Sequence, residues 1–235
     1  MKRIQIRHLS SHTLLPTRIS LGFVFLLFWG CRIVEPDRGS YTQEEIDYFL
    51  EIALGTEYGT SMASIKKWTD NINIMVQGTP TEVDSQTVDQ VVDELNDILN
   101  GIELAVVSQN PNIEIHFLPE SDFILIEPNY VSTNYGFFWV NWSIDGSIYH
   151  AKILISTDHV TQQERSHLIR EELTQSLGLM KDSNRYPDSI FYQGWTDVTS
   201  YLPIDSIVIE ILYRSEIRPN MTREEVVEAL DLQES

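Results

Sequence analysis

The residues best placed to do chemistry lie in one stretch, His167-Leu-Ile-Arg-Glu171-Glu172-Leu-Thr-Gln175-Ser-Leu-Gly178-Leu-Met-Lys-Asp182. On a helix, His167, Glu171 and Gln175 recur at i, i+4 and i+8 and form one polar stripe, with Glu172 beside it. Ile169, Leu173 and Leu177 repeat at the same spacing on a stripe rotated away from the first, which predicts the core side. Gly178 permits a sharp exit from the helix, after which Asp182 is able to turn back toward the polar stripe. A histidine one turn before a glutamate is a pair that could hold a metal, although a lone helical histidine is more often a packing residue. Glu171 and Glu172 read equally as a solvated helix face, with Gln175 bonded to a loop backbone. The rest of the chain offers no Gly-x-Ser-x-Gly elbow, no phosphate-binding glycine loop and no cysteine nucleophile. His116, His150 and His159 fall on or near strands with no clustered partner in sequence.

Positioning that stretch requires a scaffold, and its elements are punctuated clearly. Thr161-Gln-Gln-Glu164 is a capping box that opens the polar-striped helix, predicted to run to about Leu177. Thr42-Gln-Glu-Glu45 and Thr222-Arg-Glu-Glu225 are capping boxes of two further helices, the first ending near Gly55. Thr81 to Leu99 carries Val88, Val91, Val92, Leu95, Ile98 and Leu99 on one side, a helix closed by Asn100-Gly101. Strands are predicted at Ile72–Val76, Ile102–Val107 and Ile113–Leu118, with residues 119–135 as loop. Asp145-Gly146 between Phe137–Ile144 and Ser147–Thr157 signals a hairpin. In its first strand, alternation sends Phe138, Val140, Trp142 and Ile144 to the core and Phe137 and Trp139 outward. If that strand is an edge, Phe137 and Trp139 would flank a peptide added to it; otherwise they pack under the 119–135 loop. Residues 180–200 lack periodicity, and Asp205–Tyr213 is an apolar helix. Together these make an α+β fold, a mixed sheet with a helical C-terminal part and no internal linker.

The N-terminus reads differently. Lys2, Arg3, Arg7 and Arg18 precede the apolar run Leu21–Trp29, and Gly30-Cys31 follows. A basic region and a short apolar region are the build of a secretory signal, and the run is short for a span of about 20 residues. The lone Cys31 behind a small residue resembles a bacterial lipobox, although Phe28 and Trp29 are unusual there; an uncleaved anchor and plain secretion are the alternatives. The expected organisation is a signal peptide with lipobox-like cysteine at 1–31, a tether at 32–40 and one domain at 41–235. Removing residues 1–30 takes four basic and no acidic residues from the chain, leaving 12 against 35 and a net charge of −23. That surface repels phosphate backbones, so no nucleic-acid partner is expected. Lipidation of Cys31 would make a membrane the first partner, with the domain exported to the cell envelope.

Glu-Glu-Leu-Thr-Gln-Ser-Leu-Gly-Leu (171–179) with Asp182-Ser183 resembles the central motif of a bacterial family, domain of unknown function 2927. Asp188-Ser-Ile-Phe191, Asp205, Ile211-Leu-Tyr213, Pro219-Asn-Met221-Thr222 and the segment Tyr48–Gly59 with Lys67-Trp68 are similar to that family too. The spacing also resembles a metzincin-type zinc peptidase, His-Glu-x-x-His-x-x-Gly-x-x-His/Asp. That resemblance implies a zincin-like fold and puts Glu171 and Gln175 at the two helical ligand positions, Glu172 at the general base and Gly178 at the glycine turn. Lys181 falls at the strict third-ligand place, with Asp182 one residue later. His167 is a further metal candidate. Zinc favours imidazole and thiolate, so a glutamate, glutamine and aspartate set does not support it; oxygen-only donors suit calcium, magnesium or manganese. The functional expectation is a lipid-anchored envelope protein with a metallopeptidase-like but altered site, non-classical or inactive. A peptide-binding module using the edge strand, and a metal-dependent hydrolase with Glu172 activating water, are the rival readings.

Overall fold

The computed structural model describes residues 41–55, 64–132 and 134–231. The signal-like segment, Cys31 and the tether lie outside these residues. Among the described residues no helix is long and apolar enough to cross a membrane.

Helix α1 (Gln43–Ala53) starts at the Thr42 capping box and is followed by the short strand β1 (Lys67–Trp68) and by β2 (Ile72–Gly78). Helix α2 (Glu82–Ile98) opens on a second box, in which Thr81 pairs with Asp84 rather than with a glutamate. Strands β3 (Leu104–Val106) and β4 (Ile113–Leu118) follow, the former shorter than the apolar run suggests. The expected 119–135 loop contains a 3-10 turn, Glu120–Asp122, and a short helix α3 (Phe123–Ile126). Strands β5 (Gly136–Trp142) and β6 (Ser147–Ser156) form the hairpin. Helix α4 (Gln162–Gln175) carries the polar stripe, and α5 (Pro203–Tyr213) and α6 (Arg223–Asp231) complete the helical C-terminal part.

The sheet order is β1-β6-β4-β2-β3, every neighbour parallel, with β5 antiparallel to β6. β6 meets β1 at Ser147–Ile148 and β4 at Ala151–Ser156, while β5 pairs along its length. β5 pairs with no other described strand, so it is an edge. One face of the sheet is core: Ile72, Ile74, Ile113, Ile115, Ile153 and Ile155 are fully buried with Val88 and Val91 of α2 and Ile169 and Leu173 of α4. The other face gathers what sequence left scattered. His116 and His150 lie 3.5 and 3.3 Å from the Glu114 carboxylate, because the β4–β6 pairing sets residues about 36 apart side by side.

The outward-and-inward assignment of β5 needs correction. Phe137 shares a face with Trp139, stacked at 6.5 Å, but is itself buried beneath Phe123, Tyr130 and their neighbours. Of the two aromatics proposed for peptide contact, Trp139 alone reaches solvent, because the 120–130 segment covers Phe137. Trp142 and Ile144, expected in the core, are exposed. The register shifts between Asn141 and Trp142, and Ile144 lies past the strand in the turn.

Candidate functional site

Helix α4 is buried almost all round, which explains its mixed composition. Ile169, Leu173 and Leu177 face the core at 0 % exposure, and His167 and Gln175 of the polar stripe, with Glu172 beside it, are no more than 6 % exposed, while Glu171 is partly exposed. A helix buried on both sides must pair its charges. Arg165 reaches Asp84 at 3.1 Å, and Arg170 grips Glu94 while lying 4.6 Å over the Tyr201 ring, so α2 and α4 are clamped by two arginine–carboxylate pairs. The helix stops where φ of Gly178 is +119°, and a Cβ there would sit 2.0 Å from the Lys66 carbonyl oxygen. Glycine is thus required twice, by backbone conformation and by close approach.

Beyond that bend Leu179 and Met180 re-enter the core and bring Asp182 back to the helix. The Gln175 amide donates to Asp182 Oδ1 at 2.5 Å. The one-residue offset in sequence therefore does not keep Asp182 away. Ser183 exchanges backbone bonds with Phe191 and Gln193, at 2.8 and 3.0 Å, closing the next loop on itself. Asp205, fully buried, pins the same region: its carboxylate accepts from the Ser189 hydroxyl at 2.6 Å and from the Ile190 and Leu202 N–H groups at 3.1 and 2.9 Å. Burial holds its pKa above the ordinary carboxylate value, and those three donors oppose the rise only in part. The Asp188-Ser-Ile-Phe191 and Asp205 elements thus hold a wall in place.

His167, Glu171, Glu172, Gln175 and Asp182 all line one cleft of about 160 Å³. Its opposite rim is Asn134–Gly136 at the start of β5 and the Tyr192–Thr196 segment. Gly136 went unnoticed in sequence, although a glycine at a strand start hints at close approach. A Cβ there would lie 2.3 Å from Glu172 Oε1, so the carboxylate occupies the space a side chain would fill. Tyr135 and Trp195 meet edge to face at 5.9 Å, and the Trp195 indole donates to Glu164 at 3.0 Å. The cluster Tyr192-Gln-Gly-Trp195 inside an aperiodic segment was the available signal for that rim.

His167 pairs with Glu171 within the site, as Gln175 does with Asp182. His167 Nδ1 donates to the Val198 carbonyl at 2.7 Å and Nε2 lies 3.2 Å from Glu171 Oε2. Both ring nitrogens face acceptors, the arrangement an imidazolium satisfies. Burial alone would lower the His167 pKa, but the hydrogen bond and charge of Glu171, with the Val198 carbonyl and Asp197, carry it above the ordinary histidine value. Zinc does not fit these residues. Glu171 is turned to His167, Gln175 is a neutral amide bonded to Asp182, and among the described residues no group of three His, Cys, Asp or Glu stands ready to hold a metal ion. What remains is a narrow, carboxylate-lined cleft beside an edge strand.

A mixed sheet with an antiparallel edge strand, a buried polar-striped helix and a helical C-terminal part make an α+β scaffold. Two solved structures of myroilysin are similar to it: one at 13% identity and TM-score 0.40, covering 63% of this chain and 95% of that one, the other at 13% and 0.31, covering 79% of each. The family described as "Protein of unknown function (DUF2927)" matches residues 42–231, and the chain belongs to it. No curated protein matches.

Proposed function

We propose that the protein is exported, anchored to the cell envelope by a lipid on Cys31, and uses its metallopeptidase-like scaffold to hold an extended polypeptide without cutting it. The observation that carries this reading is the internal pairing of the site: the helix positions that resemble zinc ligands bear Glu171 and Gln175, which bond His167 and Asp182 instead. With Glu171 and Gln175 turned to His167 and Asp182, the helix offers no ready pair of ligands to hold beside Glu172 the metal that would activate a water molecule.

The edge strand supplies the binding half. The Ser156 N–H donates to the Tyr135 carbonyl at 2.8 Å, so odd-numbered residues of β5 face β6 through their backbone groups. The N–H and C=O groups of Gly136, Phe138 and Val140 then point to the free edge, where no described strand pairs with them. An extended segment laid there would run directly past the cleft at Gly136, with Trp139 presenting its ring beside it.

Casein, an unfolded polypeptide, is a suitable probe for the full chain. Incubation is expected to leave casein intact and to slow amide hydrogen exchange at Phe138 and Val140. Cleavage that disappears in Glu172→Gln would establish a hydrolase instead. Unchanged exchange at both amides would remove the edge strand from the account.

A further inference from the structure

The β5–β6 hairpin ends in large apolar side chains that the domain leaves uncovered. Ile144 is 101 % exposed, Tyr149 60 % and Trp142 42 %. Their support is firm. The Gly146 N–H donates to the Ser143 carbonyl at 3.0 Å, and the Asp145 carboxylate accepts from the Ser143 hydroxyl and from the Ser147 N–H at 3.1 Å. Gly146 fits so closely against the 218–221 segment that a Cβ would lie 2.7 Å from Asn220 N. The Lys66 ammonium lies 5.9 Å from the centre of the Trp142 ring. Single exposed apolar residues need no explanation; the position of these three does.

The turn lies at the end of the sheet where β6 begins, and the chain enters the domain at the same end. The Tyr41 hydroxyl donates to Glu210 at 3.0 Å and accepts from Arg214 at 3.2 Å, both at the C-terminal end of α5. The Lys67 ammonium donates to the carbonyls of Leu212 and Ile217, at 2.7 and 2.9 Å, tying that helix end to β1. The Lys67 N–H in turn donates to the Gly146 carbonyl at 3.4 Å. Nine residues lie between Cys31 and Tyr41, a stretch of roughly 35 Å even when fully extended. A chain held in a bilayer at Cys31 would therefore keep Tyr41, and the end of the sheet at which it enters, within that reach of the membrane.

We propose that Trp142, Ile144 and Tyr149 form a second membrane contact, resting in the headgroup layer of the bilayer that holds the N-terminus. The proposal rests on the membrane attachment proposed above. Tryptophan and tyrosine favour that layer because one end of each ring system is apolar and the other is wet. The net charge of −23 left when residues 1–30 are removed (12 basic against 35 acidic), with Asp145 in the turn itself, selects neutral or zwitterionic lipids over anionic ones.

The test is the full chain reconstituted into phosphatidylcholine vesicles whose acyl chains carry bromine, which quenches nearby tryptophan emission. Part of the quenching is expected to disappear in Trp142→Phe and to fall in Ile144→Ser, a change at a fully exposed position that spares the fold; Trp195→Phe is expected to leave it intact. Quenching identical in Trp142→Phe and the parent, with the chain sedimenting on the vesicles, would overturn the tip contact and leave the anchor standing. A chain that stays in the supernatant would overturn the anchor and the contact together.

Discussion

Gly136 and Gly178 both make room for a neighbour, but the neighbours differ in what they can yield. A Cβ at 136 meets the ends of the Glu172 and Leu168 side chains, at 2.3 and 2.8 Å, and these can rotate away. Gly136→Ala is thus expected to cost about 1 kcal/mol in urea unfolding while displacing Glu172 and weakening casein binding. At 178 the obstacle is the Lys66 carbonyl and φ is positive, so Gly178→Ala is expected to cost roughly 3 kcal/mol or more by the same measurement. His167 gives a pH dependence with a definite sign. Its folded pKa is raised by Glu171 and the Val198 carbonyl against the opposing effect of burial, so the folded state binds its proton more tightly than the unfolded chain does. That stabilisation is complete below about pH 6.5 and is lost as pH rises through the raised value. The melting temperature is expected to fall across that window, and Glu171→Gln to flatten the slope. An unchanged slope in Glu171→Gln would remove the ion pair from the explanation. The polar stripe itself was legible in sequence because helical spacing alone puts His167, Glu171 and Gln175 in a row. Their mutual pairing was not, since Val198 lies 31 positions from His167 and nothing local announces it.

At the scale of elements, the clamp between α2 and α4 holds the site's helix in place. Asp84, fully buried, accepts from Arg165 at 3.1 Å and from the Gln162 amide at 2.7 Å, and it also caps α2 through the Thr81 N–H. Asp84→Ala would leave the Arg165 charge buried without its carboxylate, with an expected loss of about 3–5 kcal/mol in urea unfolding. A loss below about 1 kcal/mol would mean that water reaches Arg165 readily and the clamp is dispensable. Helix starts were readable because capping boxes are local: Thr42–Glu45, Thr161–Glu164 and Thr222–Glu225 each stand three residues apart. The face assignment of β5 was not, for two physical reasons. A shift of register at Asn141/Trp142 breaks strict alternation, and the α3 segment supplies Phe123 to cover Phe137, a contact that depends on tertiary packing. The sheet order, too, depends on pairings such as Ile74 with Ile113 that no local pattern encodes.

For the whole molecule, sequence carried the fold class and the family further than it carried the site. Family motifs at 171–183, 188–191 and 205 proved to be the helix, its bend and the buried carboxylate that pins the wall, all parts of the matched region 42–231. Attachment belongs to this scale as well: Cys31→Ser is expected to abolish incorporation of labelled fatty acid and to move the protein out of the membrane fraction, and unchanged retention would rule out lipidation there. The central claim is that the cleft beside α4 is closed by its own hydrogen bonds and takes no zinc. The most direct measurement is elemental analysis of the full chain after incubation with zinc and removal of the excess. The account predicts no stoichiometric zinc in the parent, in Glu171→Ala or in Asp182→Ala. One zinc retained per parent chain, and lost in both variants, would contradict it.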